Sequence, residues 1–225
     1  MLEKLYDAFI ASDWWKTYLE GLGNTLLIAV VACLIGLLLG SVIAIAKYFS
    51  AGKKGLGWRV LGGFANLYTT VIRGTPVMLQ LLIIYGLAIW SEGIYTCFIG
   101  FGLNSAAYVS EIIRAGIGSV DRGQMEAGRS LGLSQLATMR CIIFPQAVKN
   151  ILPAMFNEFI SLIKETSIAG YVAVLDLTKA ATIVNSRVAN LIPHCITAVA
   201  YLIMVIGLSQ VQKRLERRLA RSDRN

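Results

Sequence analysis

The chain has 225 residues, of which 56% are hydrophobic and only 15% are charged, and its formal net charge is +8. A soluble domain usually carries roughly 25% charged residues, and a short chain has little interior in which to bury so many apolar side chains. The composition therefore argues against an ordinary soluble domain and predicts an all-α membrane protein.

The first long apolar run covers residues 24–46 and contains no charged side chain. As a helix it would be about 35 Å long, which is enough to cross a hydrocarbon core of about 30 Å. A secretory signal is the alternative, but it would need a basic start and a shorter apolar core. The preceding residues are mixed in charge and the run is too long, so we interpret it as a retained transmembrane helix.

Four further apolar segments follow, and no internal repeat or long linker divides the chain, so we expect one transmembrane domain over residues 1–225. We place the five spans at about 24–46, 66–90, 98–118, 150–172 and 190–211. The second span is interrupted by Arg73-Gly74-Thr75-Pro76, where proline lacks a backbone donor and glycine tolerates unusual dihedral angles. We expect a bent or partly unwound helix there, or a start at residue 66 after a segment lying along the inner surface.

Basic residues set the expected orientation because cytoplasmic loops of membrane proteins are enriched in Lys and Arg. They cluster after the first span (Lys47, Lys53, Lys54, Arg59), in the central segment (Arg122, Arg129, Arg140, Lys149) and at the end (Lys213, Arg214, Arg217, Arg218, Arg221, Arg224). The N-terminus is therefore expected outside and the C-terminus in the cytoplasm, with Trp14, Trp15 and Trp90 in an outer aromatic belt. The basic tail is expected to meet anionic lipid and not nucleic acid.

Two outer features allow more than one interpretation. Residues 173–190 are weakly amphipathic and predict either a short helix or re-entrant cap over a vestibule, or an ordinary surface loop. Cys97 and Cys195 both fall near the outer surface, where a disulfide is one alternative and free thiols acting as small hydrophobic side chains are the other.

The central segment, residues 121–146, is polar and glycine-punctuated between two spans. Gly132 predicts a left-handed turn that closes one short helix, Ser134 predicts the N-cap of the next, and Pro145 stops that helix or reorients the chain. Its imperfect helical stripe consists of Leu131, Leu136, Met139 and Ile143. The segment is either an amphipathic element lying on the inner membrane surface or a docking site for a cytoplasmic partner.

The stretch EAGRSLGLSQLATMRCIIFP, residues 126–145, resembles the EAA loop of ABC importer membrane subunits, with Gly128 and Phe144 as departures from that pattern. Residues 68–86, 106–132 and 152–170 are similar to the second, third and fourth spans of polar amino acid permeases. The chain is identified from these motifs as a member of that family, which implies a fold like that of a type I ABC importer permease.

The resemblance implies that the loop is a coupling helix seated on a cytoplasmic ATPase. Matching positions for coupling are Glu126, Ala127, Gly128, Gly132, Leu133, Ile142 and Pro145. The chain has no G-x-x-x-x-G-K-[ST] phosphate loop, so no cofactor is expected on it, and ATP and magnesium are expected on the partner. Expected partners are two ATPase subunits, a second identical or related permease subunit and an extracytoplasmic amino-acid-binding protein, in a bacterial inner membrane.

Ionisable residues inside the predicted spans are costly in lipid and are expected to face protein or water. Glu111 and Arg114 share a helix face, so they form either an ion pair or part of a substrate path. A polar stripe on the fourth span suits a zwitterion but also suits hydrogen bonds between subunits. The substrate-path candidates are Arg73, Thr75, Glu111, Asn157, Glu158, Ser161, Lys164 and Glu165.

Three other classes of protein are alternatives to an importer subunit. An intramembrane enzyme is not favoured because the chain has no H-E-x-x-H or G-x-S-x-G motif, so no catalytic or metal-binding residue is predicted. A stand-alone ion-coupled amino acid carrier would have no use for the loop around Gly132. A structural scaffold would leave the charges of the fourth span unexplained.

Overall fold

The computed structural model describes residues 2–51, 55–87 and 92–221, and within them every regular element is helical. The first elements are α1 (Leu2–Phe9), a 3-10 turn (Ala11–Asp13), α2 (Trp14–Ser50), α3 (Leu56–Gly74), α4 (Val77–Gly86) and α5 (Gly93–Gly118). They are followed by α6 (Arg122–Ser130), α7 (Gln135–Thr138), a π turn (Met139–Ile143), α8 (Phe144–Glu165), a 3-10 segment (Thr166–Val172), α9 (Leu177–Val188) and α10 (Ile192–Arg221). Lys53, Lys54, Arg224 and residues 88–90 of the predicted second span, including Trp90, lie outside the described residues.

The described residues contain three helices that are long and apolar enough to cross a membrane, Ala11–Ser50, Gly93–Gly118 and Ile192–Leu219. Two bent helix pairs bring the number of candidate spans to five if each pair is one span: α3 with α4, and Gln135–Val172 with α9. Large apolar side chains face outward, such as Leu38 (69% exposed) on α2 and Ile203 (66% exposed) on α10. Such outward leucines and isoleucines suit a lipid environment and not water.

Helix α2 extends beyond the predicted span at both ends, and its N-terminal part is packed against the start of α9. The Asn24 side-chain amide donates to the Leu175 carbonyl at 2.9 Å, and the Leu177 N–H donates to the Thr25 hydroxyl at 3.1 Å. A Cβ on Gly21 would lie 2.8 Å from the Asp176 carbonyl oxygen. The backbones therefore touch here, and the helix includes residues of mixed charge that precede the predicted span.

Helix α5 occupies the centre of the fold because small residues let α2 approach it closely. A Cβ on Gly36 would be 2.7 Å from the Ser105 Oγ, and one on Gly40 would be 2.7 Å from the Val109 Cβ. Close backbone approach through small residues is the usual way in which helices associate in a membrane. The apolar core around α5 contains Ile28, Ala32, Leu81, Cys97, Phe101, Leu162, Ala169, Val172 and Val174.

The predicted bend in the second span is confirmed, and it is sharp: α3 and α4 meet at 104°. Thr75 is extended (φ −121°, ψ 145°), as expected for a residue before proline. The Gln80 amide nitrogen donates to the carbonyls of Ile72 (2.7 Å) and Thr75 (3.1 Å), so a side chain replaces bonds that the broken helix has lost. The helix before the bend begins at Leu56, earlier than the predicted start of the span at residue 66.

The prediction that Pro145 stops a helix is wrong. Backbone angles stay helical from Gln135 through the π turn into α8, and Pro145 lies in the first turn of α8. In the π turn the Phe144 N–H bonds to the Met139 carbonyl, five residues back. This wider turn makes room for a proline ring, which would clash with the carbonyl four residues earlier in a regular α-helix.

The C-terminal end of the predicted fourth span narrows to a 3-10 segment after Glu165 and ends at Ala173, whose φ of 61° is left-handed. The helical alternative for residues 173–190 is confirmed by α9, and the surface-loop alternative is wrong. Helix α10 continues past residue 211 into the basic tail. All four cysteines are free; Cys97 is buried and Cys195 is exposed, so the predicted disulfide alternative is not formed.

Candidate functional site

The central segment folds as two helices joined by a glycine turn, as predicted. The Asp121 carboxylate caps α6 by accepting from the Gly123 N–H at 2.7 Å. Gly132 has a φ of +83°, its N–H donates to the Arg129 carbonyl, and the Leu133 N–H donates to the Gly128 carbonyl. This hydrogen-bond pattern is a Schellman motif, which needs a residue without a Cβ penalty at the left-handed position. The Ser134 Oγ then caps α7 by accepting from the Ala137 N–H at 3.2 Å.

Leucines surround the turn and face outward. Leu131 is 80% exposed, Leu136 is 72% exposed and Leu133 is 38% exposed, whereas Ile143 is only 6% exposed. The prediction of one apolar stripe is therefore wrong, because Leu131 and Leu136 point away from the face that holds Ile143. An exposed group of three leucines is a feature of interaction surfaces.

The other predicted coupling residues divide into exposed and packed positions. Glu126, Ala127, Gly132 and Pro145 are exposed, Ile142 is half-buried, and Gly128 is buried. A methyl group on Gly128 would collide with the Thr138 side chain, so glycine at this position permits close contact between α6 and α7. The departure from alanine at residue 128 thus has a local packing reason.

Glu111 on α5 is surrounded by cations. Its Oε1 accepts from the Lys47 Nζ at 2.7 Å, and its Oε2 accepts from the Arg114 Nε at 2.9 Å. Arg73 Nη1 lies 4.0 Å from the same Oε2. The side chains of Lys47 and Glu111 are 7% and 18% exposed. The predicted ion pair between Glu111 and Arg114 is confirmed, and it belongs to a larger network.

The bend contributes Arg73 and Thr75 to the neighbourhood of that network. The Arg73 guanidinium lies 5.2 Å from the centre of the Tyr108 ring, which is a cation–π distance. Thr75 donates its hydroxyl back to the Val71 carbonyl at 2.9 Å and accepts from Gln80 at 2.8 Å. Both predicted residues therefore have partners within the chain.

Glu158 on α8 has a different environment. Its Oε1 accepts a hydrogen bond from the Ser105 Oγ at 3.0 Å. It forms no ion pair within 4.0 Å among the residues that the structure describes. A half-buried carboxylate held by one hydroxyl keeps most of its acceptor capacity, since an ionised carboxylate has about four lone-pair sites.

The remaining candidates on α8 surround Glu158 but do not all share its surroundings. Asn157 and Lys164 are exposed, while Ser161 and Glu165 are half-buried. Lys164 also lines a cavity of about 370 Å³ with Ser167, Thr178, Thr197, Tyr201 and His194. Lys164 therefore faces α10, whereas Glu158 faces α5, and the structure does not bring these two charges into contact.

Sequence reasoning missed five polar residues that connect these helices: Lys47, Thr69, Gln80, Asn104 and Ser105. Lys47 was grouped with the inner loop cluster, yet it is buried, and its Nζ also donates to the Thr69 hydroxyl at 2.6 Å. The Asn104 amide donates to the Gln80 side-chain oxygen at 3.0 Å, one residue before the Ser105 that contacts Glu158. The available signal was simple: each of these polar residues interrupts or ends an apolar run.

The residues that the structure describes contain no group of three or more His, Cys, Asp or Glu side chains able to hold a metal ion. The polar features above are carboxylates, cations, amides and hydroxyls on helices inside or beside apolar spans. Such groups can orient a polar solute but offer no nucleophile activated by an adjacent base.

Residues 36–221 match the family model described as "Binding-protein-dependent transport system inner membrane component". The chain belongs to this family. Its members are permease subunits of ABC transporters, so the resemblance identified in the sequence is confirmed. The permease is an integral membrane protein, and the family works with ATPase and substrate-binding partners.

Several relatives are named as amino acid permeases. A Rickettsia bellii (strain RML369-C) protein named as a glutamine transport system permease is 42% identical over 206 residues, which cover 89% of this chain and 91% of the relative. The arginine transport system permease protein of Bacillus subtilis (strain 168) is 39% identical over 211 residues, covering 91% of this chain and 93% of that protein.

Solved structures agree with the fold. The crystal structure of an amino acid ABC transporter with histidines matches with a TM-score of 0.84 and 38% identity, covering 91% of this chain and 95% of that one. An inward-facing MetNI methionine ABC transporter matches with a TM-score of 0.77 at 16% identity, covering 93% and 99%, which shows the shared fold alone. The permease thus has the fold expected of a type I ABC importer subunit.

Proposed function

We propose that this permease is the membrane-spanning subunit of an ATP-driven importer for a polar amino acid. The proposal includes five crossings with the N-terminus outside and the C-terminus in the cytoplasm of a bacterial inner membrane. Two such subunits, identical or related, enclose the pathway, two ATPase subunits bind on the cytoplasmic side, and an extracytoplasmic binding protein delivers the amino acid.

The observation that supports coupling most strongly is the continuity between the glycine turn and α8. Residues 135–165 form one uninterrupted helical rod, with the exposed leucines at one end and Glu158 near the other. The separation along the axis from Gln135 to Glu158 is about 35 Å at 1.5 Å per residue. A displacement of the turn by an ATPase would therefore move the candidate path residues as a rigid body.

The coupling surface in this proposal consists of residues that an ATPase groove can contact. Leu133 and its exposed neighbours supply apolar contact, Glu126 and Ala127 supply the exposed face of α6, and Gly132 allows close approach. Gly128 and Ile142 lie behind this surface and fix the angle between α6 and the rod, and Pro145 lies exposed in the first turn of α8. Closure of the ATPases on bound ATP would favour an outward-open state, and hydrolysis would restore an inward-open one.

The proposed substrate path centres on Glu158. A substrate ammonium group would bind the Glu158 carboxylate, while Ser161 and Asn157 suit the polar groups of an amino acid. Lys164, which faces α10, would contact the substrate carboxylate at another point of the path. Glu165 adds a second acceptor about two helical turns further on. Arg73 and Thr75 at the bend form a second candidate region, in which Glu111 positions Arg73.

Reconstitution tests the proposed function. The permease is placed in liposomes with a cognate ATPase and binding protein, and uptake of labelled glutamine and arginine is measured with and without ATP. We expect uptake only when ATP and both partners are present. Uptake by the permease alone, driven by an ion gradient and independent of ATP, would instead establish the stand-alone carrier.

Two native cysteines test the membrane orientation, so no cysteine has to be introduced. Cys141, beside the coupling turn, and Cys195, in the first turn of α10, are both exposed. In intact right-side-out vesicles a membrane-impermeant maleimide should label Cys195 and spare Cys141 until the membrane is opened. The variants Cys141→Ser and Cys195→Ser assign each signal, and labelling of Cys141 from outside would reverse the proposed topology.

A further inference from the structure

The ion network around Glu111 opens on one side into a cavity of about 380 Å³. Lys47, Arg73, Arg114 and Glu111 line it together with Asn66, Thr69 and Thr70. Three cations face a single carboxylate, so the lining carries an excess of two positive charges. A polar cavity with this charge excess is suited to an anion.

The two arginines retain donors for such a ligand. Arg114 is 61% exposed, and its contact with Glu111 uses only Nε and Nη2 of a guanidinium that has five N–H donors. Arg73 is 44% exposed and lies 4.0 Å from the nearest carboxylate oxygen. Guanidinium groups bind phosphate with paired hydrogen bonds, and the exposed Thr70 hydroxyl and Asn66 amide can supply further donors.

The cavity also lies beside an apolar surface. On α3, the pocket-lining residues Asn66, Thr70 and Arg73 share one face, and an apolar surface formed by Phe64, Leu67 and Val71 begins beside it at Leu67, three residues before Thr70. Those three apolar side chains are 74%, 60% and 50% exposed. A ligand with a charged head and a hydrocarbon tail would satisfy both faces, whereas a free anion would use only the first.

We propose that this cavity binds the phosphate headgroup of an anionic phospholipid, whose acyl chain lies along the apolar face of α3. The inference goes beyond the proposed transport function, and it is an alternative to the second candidate region there, because it gives Arg73 and Glu111 a lipid headgroup as ligand in place of the transported amino acid. Under the proposed orientation the site belongs to the inner leaflet, since Lys47 and Arg114 lie near the inner ends of α2 and α5. Basic pockets between helices on the cytoplasmic side are typical positions for anionic headgroups.

Native mass spectrometry of the purified full-length permease tests the proposal. The protein is exchanged into mixed micelles that contain phosphatidylglycerol or phosphatidylcholine, and the lipids that remain bound are counted. We expect retention of phosphatidylglycerol over phosphatidylcholine, and about a fivefold loss of that preference in Arg114→Gln, because one cation near an anionic headgroup is worth about that factor. Arg114→Lys keeps the charge and should keep most of the preference.

Arg187→Gln provides the matched control, since Arg187 is an exposed arginine on α9, far along the chain from this cavity. It should retain phosphatidylglycerol like the unchanged protein. Equal retention of both lipids by the unchanged protein, or equal loss in both glutamine variants, would overturn the proposal. So would complete displacement of the lipid by millimolar glycerol phosphate, which would assign the cavity to a small free anion.

A second permease subunit is the competing occupant of this face. Light scattering on the same samples separates the two cases: a change of subunit number in Arg114→Gln with no change in lipid retention would show a protein interface and overturn the proposal. Neither lipid retention nor light scattering depends on transport. If the lipid proposal is wrong, the uptake experiments still test the transport function independently.

Discussion

Two acidic residues on neighbouring helices, Glu111 on α5 and Glu158 on α8, have opposite environments. Both Glu111 oxygens are engaged by cations on α2 and α5, and a third cation lies 4.0 Å away. Glu158 has one hydroxyl partner and no ion pair among the described residues. A carboxylate that is already neutralised holds helices together, whereas one that is not neutralised is available to a solute. The comparison explains why two similar sequence features carry different proposals.

The largest expected effect comes from removing the neutralised carboxylate. Glu111→Ala leaves the buried Lys47 without its anion, and breaking a buried ion pair in this way costs about 3–5 kcal/mol. We expect poor accumulation and a much lower midpoint of thermal unfolding in detergent. Adding Lys47→Met to Glu111→Ala removes the uncompensated charge and should recover most of the lost stability. If Glu111→Ala were as stable as the unchanged protein, the proposed difference between Glu111 and Glu158 would be contradicted.

The next effect concerns transport and not stability. Glu158→Gln keeps an acceptor for Ser105 but removes the charge, and hydrogen bonds to charged groups are worth about 1.5–3 kcal/mol. ATP-dependent uptake should therefore fall at least about tenfold, while thermal unfolding is nearly unchanged. Glu92→Gln, which alters an exposed carboxylate at the start of α5, should transport normally. Normal uptake by Glu158→Gln would move the substrate site elsewhere, with Arg73 as the next candidate.

A smaller effect is expected at the bend. Gln80→Leu leaves the carbonyls of Ile72 and Thr75 and the Asn104 amide without this partner, which costs about 1–3 kcal/mol. Thermal unfolding in detergent should shift down by several degrees, whereas Gln210→Leu on the exposed face of α10 should not shift it. An unchanged midpoint for Gln80→Leu would show that the bend is held by Pro76 alone.

The sequence was most informative where local chemistry decides the structure. Pro76 after Thr75 was sufficient for the bend, and Gly132 followed by Ser134 was sufficient for the turn and the next cap. Each of these depends on a few neighbouring residues. They are also the positions at which the family resemblance and the physical interpretation agree.

The sequence pattern could not predict the structure where segments that are distant along the chain contact each other. The burial of Lys47 depends on Thr69 and Glu111, which come from two other helices, so charge position along the chain could not distinguish it from a loop lysine. Pro145 is accommodated by a π turn whose hydrogen-bond pattern is not visible in the residue types. The outward direction of Leu131 and Leu136 likewise follows from the angle between α6 and the rod, which packing of Gly128 against Thr138 sets.

The central claim is that the exposed turn around Gly132 receives an ATPase and moves α8. Leu131→Asp places a charge at the most exposed leucine of the turn, and Leu191→Asp makes the same change at a leucine that is similarly exposed (80% against 76%) but lies just before α10. The measurement is co-purification of the ATPase with each variant, followed by ATP-dependent uptake. The account predicts that Leu131→Asp loses both the ATPase and uptake while Leu191→Asp keeps both. Full ATPase binding and uptake by Leu131→Asp would contradict it.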